Sequence, residues 1–272
     1  MTLKGSNYIW FLIFLLFCTS CESNNDDELT EVNSNSINQS VTDLQSIYNA
    51  FAFTDFILND KYNNYTSCFN VKKDSLNNHF IHTIKLSPLN NCRIITPNNS
   101  KGELMLEYDN KYLSLFKTIE LKFNQFECNG NKYQGKLTYV FKSISTNIRL
   151  VEVTLDSLFA TQENTTRRLK GTLNISIINK ENTINGFINS NQTNENYELK
   201  ISDELKISND YINMNDINHF YFSKGITEFS NSTIKGKIHY GFDAEFGLRR
   251  DNILAVFQSD EGKRFGIELP LY

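Results

Sequence analysis

The sequence predicts a mostly β protein: an antiparallel meander of hairpins forming a curled sheet or a sandwich, with one N-terminal α-helix packed on it. Three observations carry that class. From about Ser67 onward, apolar and polar residues alternate with a period of two in run after run, the pattern of strands buried on one face and wet on the other. No stretch between those runs has the length and period of a crossover helix, so neighbouring strands pair antiparallel. Only residues 42–58 carry helical spacing, with Leu44, Ile47, Tyr48 and Phe51 at i, i+3, i+4 and i+7.

The chain opens with one positive charge, Lys4, and an apolar run over residues 8–17, followed by Cys18-Thr-Ser-Cys21. The run has the length of a signal-peptide core and falls well short of the roughly 20 residues a spanning helix needs. Thr19 and Ser20 are small, as a signal peptidase requires just before its cut. The stretch resembles a bacterial lipoprotein signal peptide, although Cys18 stands where such signals usually carry Leu, three positions before the lipidated cysteine. The resemblance implies a signal over residues 1–20 and a mature chain beginning at a lipidated Cys21. Several acyl chains then anchor it, each buried CH₂ contributing about 0.8 kcal/mol.

Residues 21–40 hold almost no large apolar side chain and read as a disordered acidic tether. The acidic group Glu22, Asp26, Asp27 and Glu28 is similar to the surface-export signal of Bacteroidota lipoproteins; a solvated spacer has the same composition. The single β-rich domain is expected over residues 41–272. Ser40 and Asp43, three apart, suit an N-terminal cap for the helix of residues 42–58.

The strands begin at about residue 67. Leu104, Leu106 and Tyr108 alternate with Glu103, Met105 and Glu107. The same alternation runs through Ile119, Leu121 and Phe123; Leu137, Tyr139 and Phe141; Val151, Val153 and Leu155; and Leu173, Ile175 and Ile177. Asn129-Gly130 joins one hairpin, and a polar loop between Leu158 and Lys170 joins the next. Gly102, Gly135, Gly171 and Gly236 each open an alternating run, where glycine permits a bulge or close turn. The segment from Gly186 to about Asn218, dense in Asn and acids, reads as a surface excursion with one strand near residues 197–202. The chain closes with a hairpin turning at Asp260-Glu-Gly262.

Charge and cysteine content narrow the function classes. The chain has net charge −4; without residues 1–20, which contain Lys4 and no acid, 26 basic and 31 acidic side chains remain, net −5. No basic face for nucleic acid is indicated. Three cysteines remain after Cys21. Cys68 and Cys92 each sit beside a strand-like run with a turn-prone segment between them. Export permits a disulfide, and a bridge closing that loop contributes roughly 3 kcal/mol in the chain-entropy model. Cys128 is then a buried free thiol.

No constellation for catalysis or metal binding stands out. His79 and His82, three apart in a strand, point to opposite faces, and His219 and His239 stand singly. Asp243 and Glu245 could share a strand face. Asn209, Asp210, Asn213 and Asp216 supply oxygens but lack the glycine and closing glutamate of a calcium loop. Arg167-Arg168 and Arg249-Arg250 read as solvated. The aromatic strand residues Phe123, Phe126, Tyr139, Phe141, Tyr240 and Phe242 read as core. One helix cannot cover the apolar face of about ten strands, so the sheet must curl, fold onto itself or leave a groove.

The order of lipidated Cys21, acidic tether, helix, Cys68, Cys92, Lys101-Gly102-Glu-Leu-Met-Leu-Glu-Tyr108 and Asn129-Gly-Asn-Lys-Tyr-Gln-Gly135 resembles a family of uncharacterised β-rich lipoproteins of Bacteroidota. Glu261-Gly-Lys-Arg-Phe-Gly-Ile-Glu-Leu269 is similar to that family's last strand. The likeness covers about residues 42–142 and the C-terminal end, and is poor over 180–230. Ser87-Pro-Leu-Asn-Asn91 replaces the glycine-rich turn expected before Cys92. The resemblance implies fold and address, and no activity.

The expectation is therefore an outer-membrane lipoprotein of the cell envelope, surface-exposed if the acidic signal is read as such. It is non-enzymatic, structural or binding in role, without cofactor or metal, and partnered with the membrane through Cys21. Two alternatives stay open: a curled sheet carrying an apolar ligand or glycan, and a cell-surface hydrolase.

Overall fold

A computed structural model describes residues 31–58, 69–86, 100–109, 115–128, 130–145, 148–178, 181–191, 196–207, 222–241 and 253–269. All belong to the second of two units, Glu31–Tyr272. Cys21, Cys68 and Cys92 lie outside the described residues, as do His219, Asp243, Glu245, Arg249, Arg250 and residues 209–216.

The described chain is one helix, α1 (Glu31–Leu58), followed by thirteen strands. They are β1 (Phe69–Leu76), β2 (His79–Leu86), β3 (Lys101–Asp109), β4 (Thr118–Cys128), β5 (Asn131–Ile144), β6 (Ile148–Gln162) and β7 (Thr165–Ile178). After them come β8 (Glu181–Asn191), β9 (Tyr197–Ile207), β10 (Phe222–Asn231), β11 (Lys235–Gly241), β12 (Ile253–Ser259) and β13 (Arg264–Leu269). They form a single antiparallel sheet in strict sequence order, with β1 and β13 at its edges. This is the expected meander; the sandwich alternative does not occur. Local chemistry sets the turns. Asn77 and Asn78, with φ of 50° and 64°, make the β1–β2 connection, both in the left-handed region that suits a two-residue hairpin.

The helix packs on the inner face of the sheet, and the sheet curls around it. Asn35 is the one exposed side chain among the described helix residues, and a helix buried on all sides must be enclosed. Phe53 meets Phe69 of β1 edge-on, Phe51 meets Tyr139 of β5, and Tyr48 meets Phe222 of β10. Arg149 of β6 reaches Asp55, and Asn182 of β8 donates to the Tyr48 hydroxyl.

Curling on this scale needs close backbone approach, and glycine supplies it. At Gly102, with φ of 104°, an added Cβ would lie 2.2 Å from the Gln125 carbonyl oxygen. The β3–β4 register shifts there, between Lys101 and Glu103, so the expected bulge is present. Gly135, with φ of 105°, abuts the Ser157 carbonyl in the same way.

Three local expectations change. The helix begins at Glu31, ten residues inside the segment expected as tether. Large apolar residues are few there, but Ser36, Ile37, Ser40 and Val41 are buried: small side chains let the strands come close, so burial does not need bulk. Ser40 and Asp43 consequently sit mid-helix and cap nothing; the Ser40 hydroxyl donates to the Ile37 carbonyl at 2.7 Å, the local bond by which serine is tolerated inside a helix. The polar segment between Leu158 and Lys170 is strand almost throughout, because β6 and β7 continue to a tight turn at Glu163 (φ 54°). Residues 181–191 form a full strand of the sheet where the expected excursion was to begin, and the strand expected near 197–202 is present and runs over 197–207. Asn185 and Asn191 of β8 meet water at little cost while Ile184 and Ile188, with Leu199 and Leu205 of β9, face inward.

Candidate functional site

Two places concentrate polar groups: a buried network between helix and sheet, and a groove on the outer face of β9–β11.

The network centres on Asp43, which is 0 % exposed. Arg167 donates to it twice, through Nε and Nη2, each at 2.8 Å. The Tyr133 hydroxyl donates to the same carboxylate at 2.9 Å and the Tyr197 hydroxyl at 2.7 Å. Asn131 in turn donates to the Tyr133 oxygen at 3.4 Å. The helix thus supplies one carboxylate, and β5, β7 and β9 supply four donors. Arg167 was expected to be solvated. It is inward because β7 continues as strand and pairs Arg167 with Ala160 and Arg168 with Phe159. Adjacent residues then point to opposite faces: Arg168, exposed, bonds the Asp156 carbonyl, and Arg167 turns inside.

Burial and charge shape these groups' titration. Burial opposes the Arg167 charge most strongly, and the adjacent Asp43, through its charge and hydrogen bonds, outweighs it and raises the guanidinium above its usual range. Burial, followed by the Asp43 charge, pushes Tyr133 and Tyr197 well above the ordinary phenol value. Next to the network, burial pushes the free, buried Cys128 thiol up to about 11, although Ser46 of α1 and Ser100 hydrogen-bond it. This fits the expected buried thiol; a protonated thiol at neutral pH is a poor nucleophile. The arrangement neutralises itself and has no access to solvent, so its chemistry is to hold α1 in one register within the sheet.

The groove has a volume of about 450 Å³ and is lined chiefly by Glu198 and Lys200 of β9, Glu228 and Ser230 of β10, Lys235 and Lys237 of β11, and Asp260. The register explains the grouping. Lys200, Glu228 and Lys237 lie side by side across three strands, and Glu198, Ser230 and Lys235 form the next row. Asp260 joins that row through its N–H, which donates to the Lys235 carbonyl. On the opposite, inner face of these strands the packing is apolar. Gly236 leaves room for the Phe257 ring, which meets Phe229 edge-on at 6.1 Å.

This patch differs from the other half of the sheet. Across β3–β5 the same alternation of charge closes into ion pairs, with Lys122–Glu107 and Lys136–Glu120 both at 2.6 Å. In the groove no ion pair joins any of the three lysines to any of the three acids. The β9–β10 ladder shifts register three times between Phe222 and Thr227, and such bulges bend and twist a strand. Sequence reasoning did not find the groove, because alternating charge on a strand reads as ordinary surface; what groups these residues is the cross-strand register, which only strand pairing reveals.

The sequence candidates are placed as follows. His79 bonds Asp109 at 2.8 Å on the surface, and His82 is buried against the Tyr108 hydroxyl; the two face opposite sides, as expected. Among the described residues, no three His, Cys, Asp or Glu side chains gather as a metal site. No described helix is long and apolar enough to cross a membrane. Phe123, Phe126, Tyr139, Phe141 and Tyr240 are buried core residues; Phe242 lies outside the described residues. No protein-family model, curated protein or solved structure matches the chain.

Proposed function

We propose that the chain is a lipid-anchored lipoprotein of the cell envelope, held at the outer membrane through acyl chains on Cys21, and that its domain is a non-enzymatic binding module. The apolar run over residues 8–17 ending at Thr19-Ser-Cys21 carries the address. The likeness to Bacteroidota lipoproteins belongs to the same reading. The enclosed helix supports a binding face on the outside of the sheet over an apolar ligand carried inside, because Tyr48, Phe51 and Phe53 occupy the space such a ligand needs. Binding is favoured over hydrolysis because the groove acids Glu198, Glu228 and Asp260 are exposed, whereas a carboxyl acting as a general acid is raised by an apolar pocket.

The test is metabolic labelling of cells with a palmitate analogue, comparing the natural chain with Cys21→Ala, together with protease shaving of intact cells. Label on the natural chain and none on the variant is expected, with shaving reporting the surface-exposed arrangement. Full label on Cys21→Ala sinks the lipoprotein reading.

A further inference from the structure

We infer that the outer groove over β9–β11 binds a neutral oligosaccharide, with Phe187 as its stacking platform. This rests on the binding-module reading above and names its ligand class.

The charge pattern excludes most other ligands. Three ammonium groups and three carboxylates line the groove in alternation, so a ligand with a strong net charge of either sign meets as much repulsion as attraction. None of the six neutralises another, so all offer hydrogen bonds outward. A hydroxyl is the neutral group that suits both kinds, donating to a carboxylate and accepting from an ammonium. A ligand bearing hydroxyls along its length satisfies the alternation whatever its register.

The second observation is Phe187. It stands on the outer face of β8, directly across from Lys200, and is 40 % exposed. The row running across the sheet is therefore Phe187, Lys200, Glu228, Lys237. An exposed ring beside a row of free polar groups offers an apolar face for the C–H side of a sugar while its hydroxyls engage the charges. Asn189 stands one row along, opposite Glu198. The volume, about 450 Å³, falls in the range of small-ligand pockets, roughly 300–1,000 Å³, and the groove is open, as a chain ligand requires.

The experiment is isothermal titration of the full chain as isolated from cells, in detergent, with five neutral hexasaccharides: cellohexaose, maltohexaose, mannohexaose, xylohexaose and chitohexaose. Saturable binding of at least one is expected. Affinity should fall about tenfold or more in Phe187→Ala and in Glu228→Gln, as loss of one stacking or charge-assisted contact implies. Both positions are exposed, and an unchanged thermal midpoint shows that the fold survives; Lys200→Met provides a third variant should Phe187→Ala destabilise. No binding by any of the five, or equal affinity in all the variants, overturns the proposal, as does binding of a mixed-charge Lys/Glu hexapeptide in place of every saccharide. Labelling at Cys21 is read separately, so full label on Cys21→Ala with saccharide binding intact removes the address alone.

Discussion

The buried pair between Asp43 and Arg167 gives the sharpest stability prediction. Asp43→Leu leaves a guanidinium that is 1 % exposed without its counter-charge. Breaking one side of a buried pair costs about 3–5 kcal/mol. The Tyr133 and Tyr197 hydroxyls also lose their acceptor, each buried unsatisfied group adding about 1–3 kcal/mol. The total is about 5 kcal/mol or more, within reach of the whole stability of a typical domain, about 5–15 kcal/mol. Arg167→Met is milder, about 3 kcal/mol, because two phenol donors still face the carboxylate. In the double variant no charge is stranded, and the remaining loss, about 3 kcal/mol, belongs to the two phenols. The double variant is therefore far more stable than the sum of the singles predicts. Urea unfolding of the full chain followed by far-UV circular dichroism measures all three. A loss under about 1 kcal/mol for Asp43→Leu, or strict additivity in the double, would show that the pair does not hold the helix.

Alkaline pH should weaken the fold in two stages. The Cys128 thiol is raised from 9.0 to about 11, so the unfolded chain releases this proton first and stability falls as pH rises between those values, by about 3 kcal/mol. Tyr133 and Tyr197, also raised, steepen the loss above about pH 10. Thermal midpoints from pH 8 to 11 should fall, and Cys128→Ala should remove the first stage; a flat profile counts against the buried thiol. At Gly102 an alanine meets the Gln125 carbonyl and an unfavourable φ, so Gly102→Ala should lose about 3 kcal/mol, read as a drop in denaturation midpoint. Gly130 has φ of 77° with open space around it, and Gly130→Asn should lose under about 1 kcal/mol, since asparagine tolerates that region. Equal losses at the two glycines would refute the close-approach argument. Peptide mapping without reductant should recover Cys68 linked to Cys92 and Cys128 alone; a Cys128-containing bridge would overturn that pairing.

Periodicity alone fixes much of this protein. Alternation in residues such as Leu104, Leu106 and Tyr108 reports a one-sided strand, and the lack of crossover helices makes the sheet an antiparallel meander, because both are properties of neighbours along the chain. The C-terminal hairpin and the Gly102 bulge were legible for the same reason. Burial of polar residues was not. Ser36, Ser40 and Asp43 carry no local mark of an enclosed helix, and Arg167 has the same neighbours whether its strand ends or continues. Its direction is set by pairing with Ala160 across a turn, and its stability by a carboxylate 124 residues away. The outer groove is a still longer-range product. Its charges come from β9, β10, β11 and the turn at Asp260, and it exists because pairing sets Lys200, Glu228 and Lys237 in one row. Sequence determines which face each strand can bury; the tertiary structure decides what lies against that face, because a charge or a serine is tolerated inside only when another part of the chain arrives to bond it.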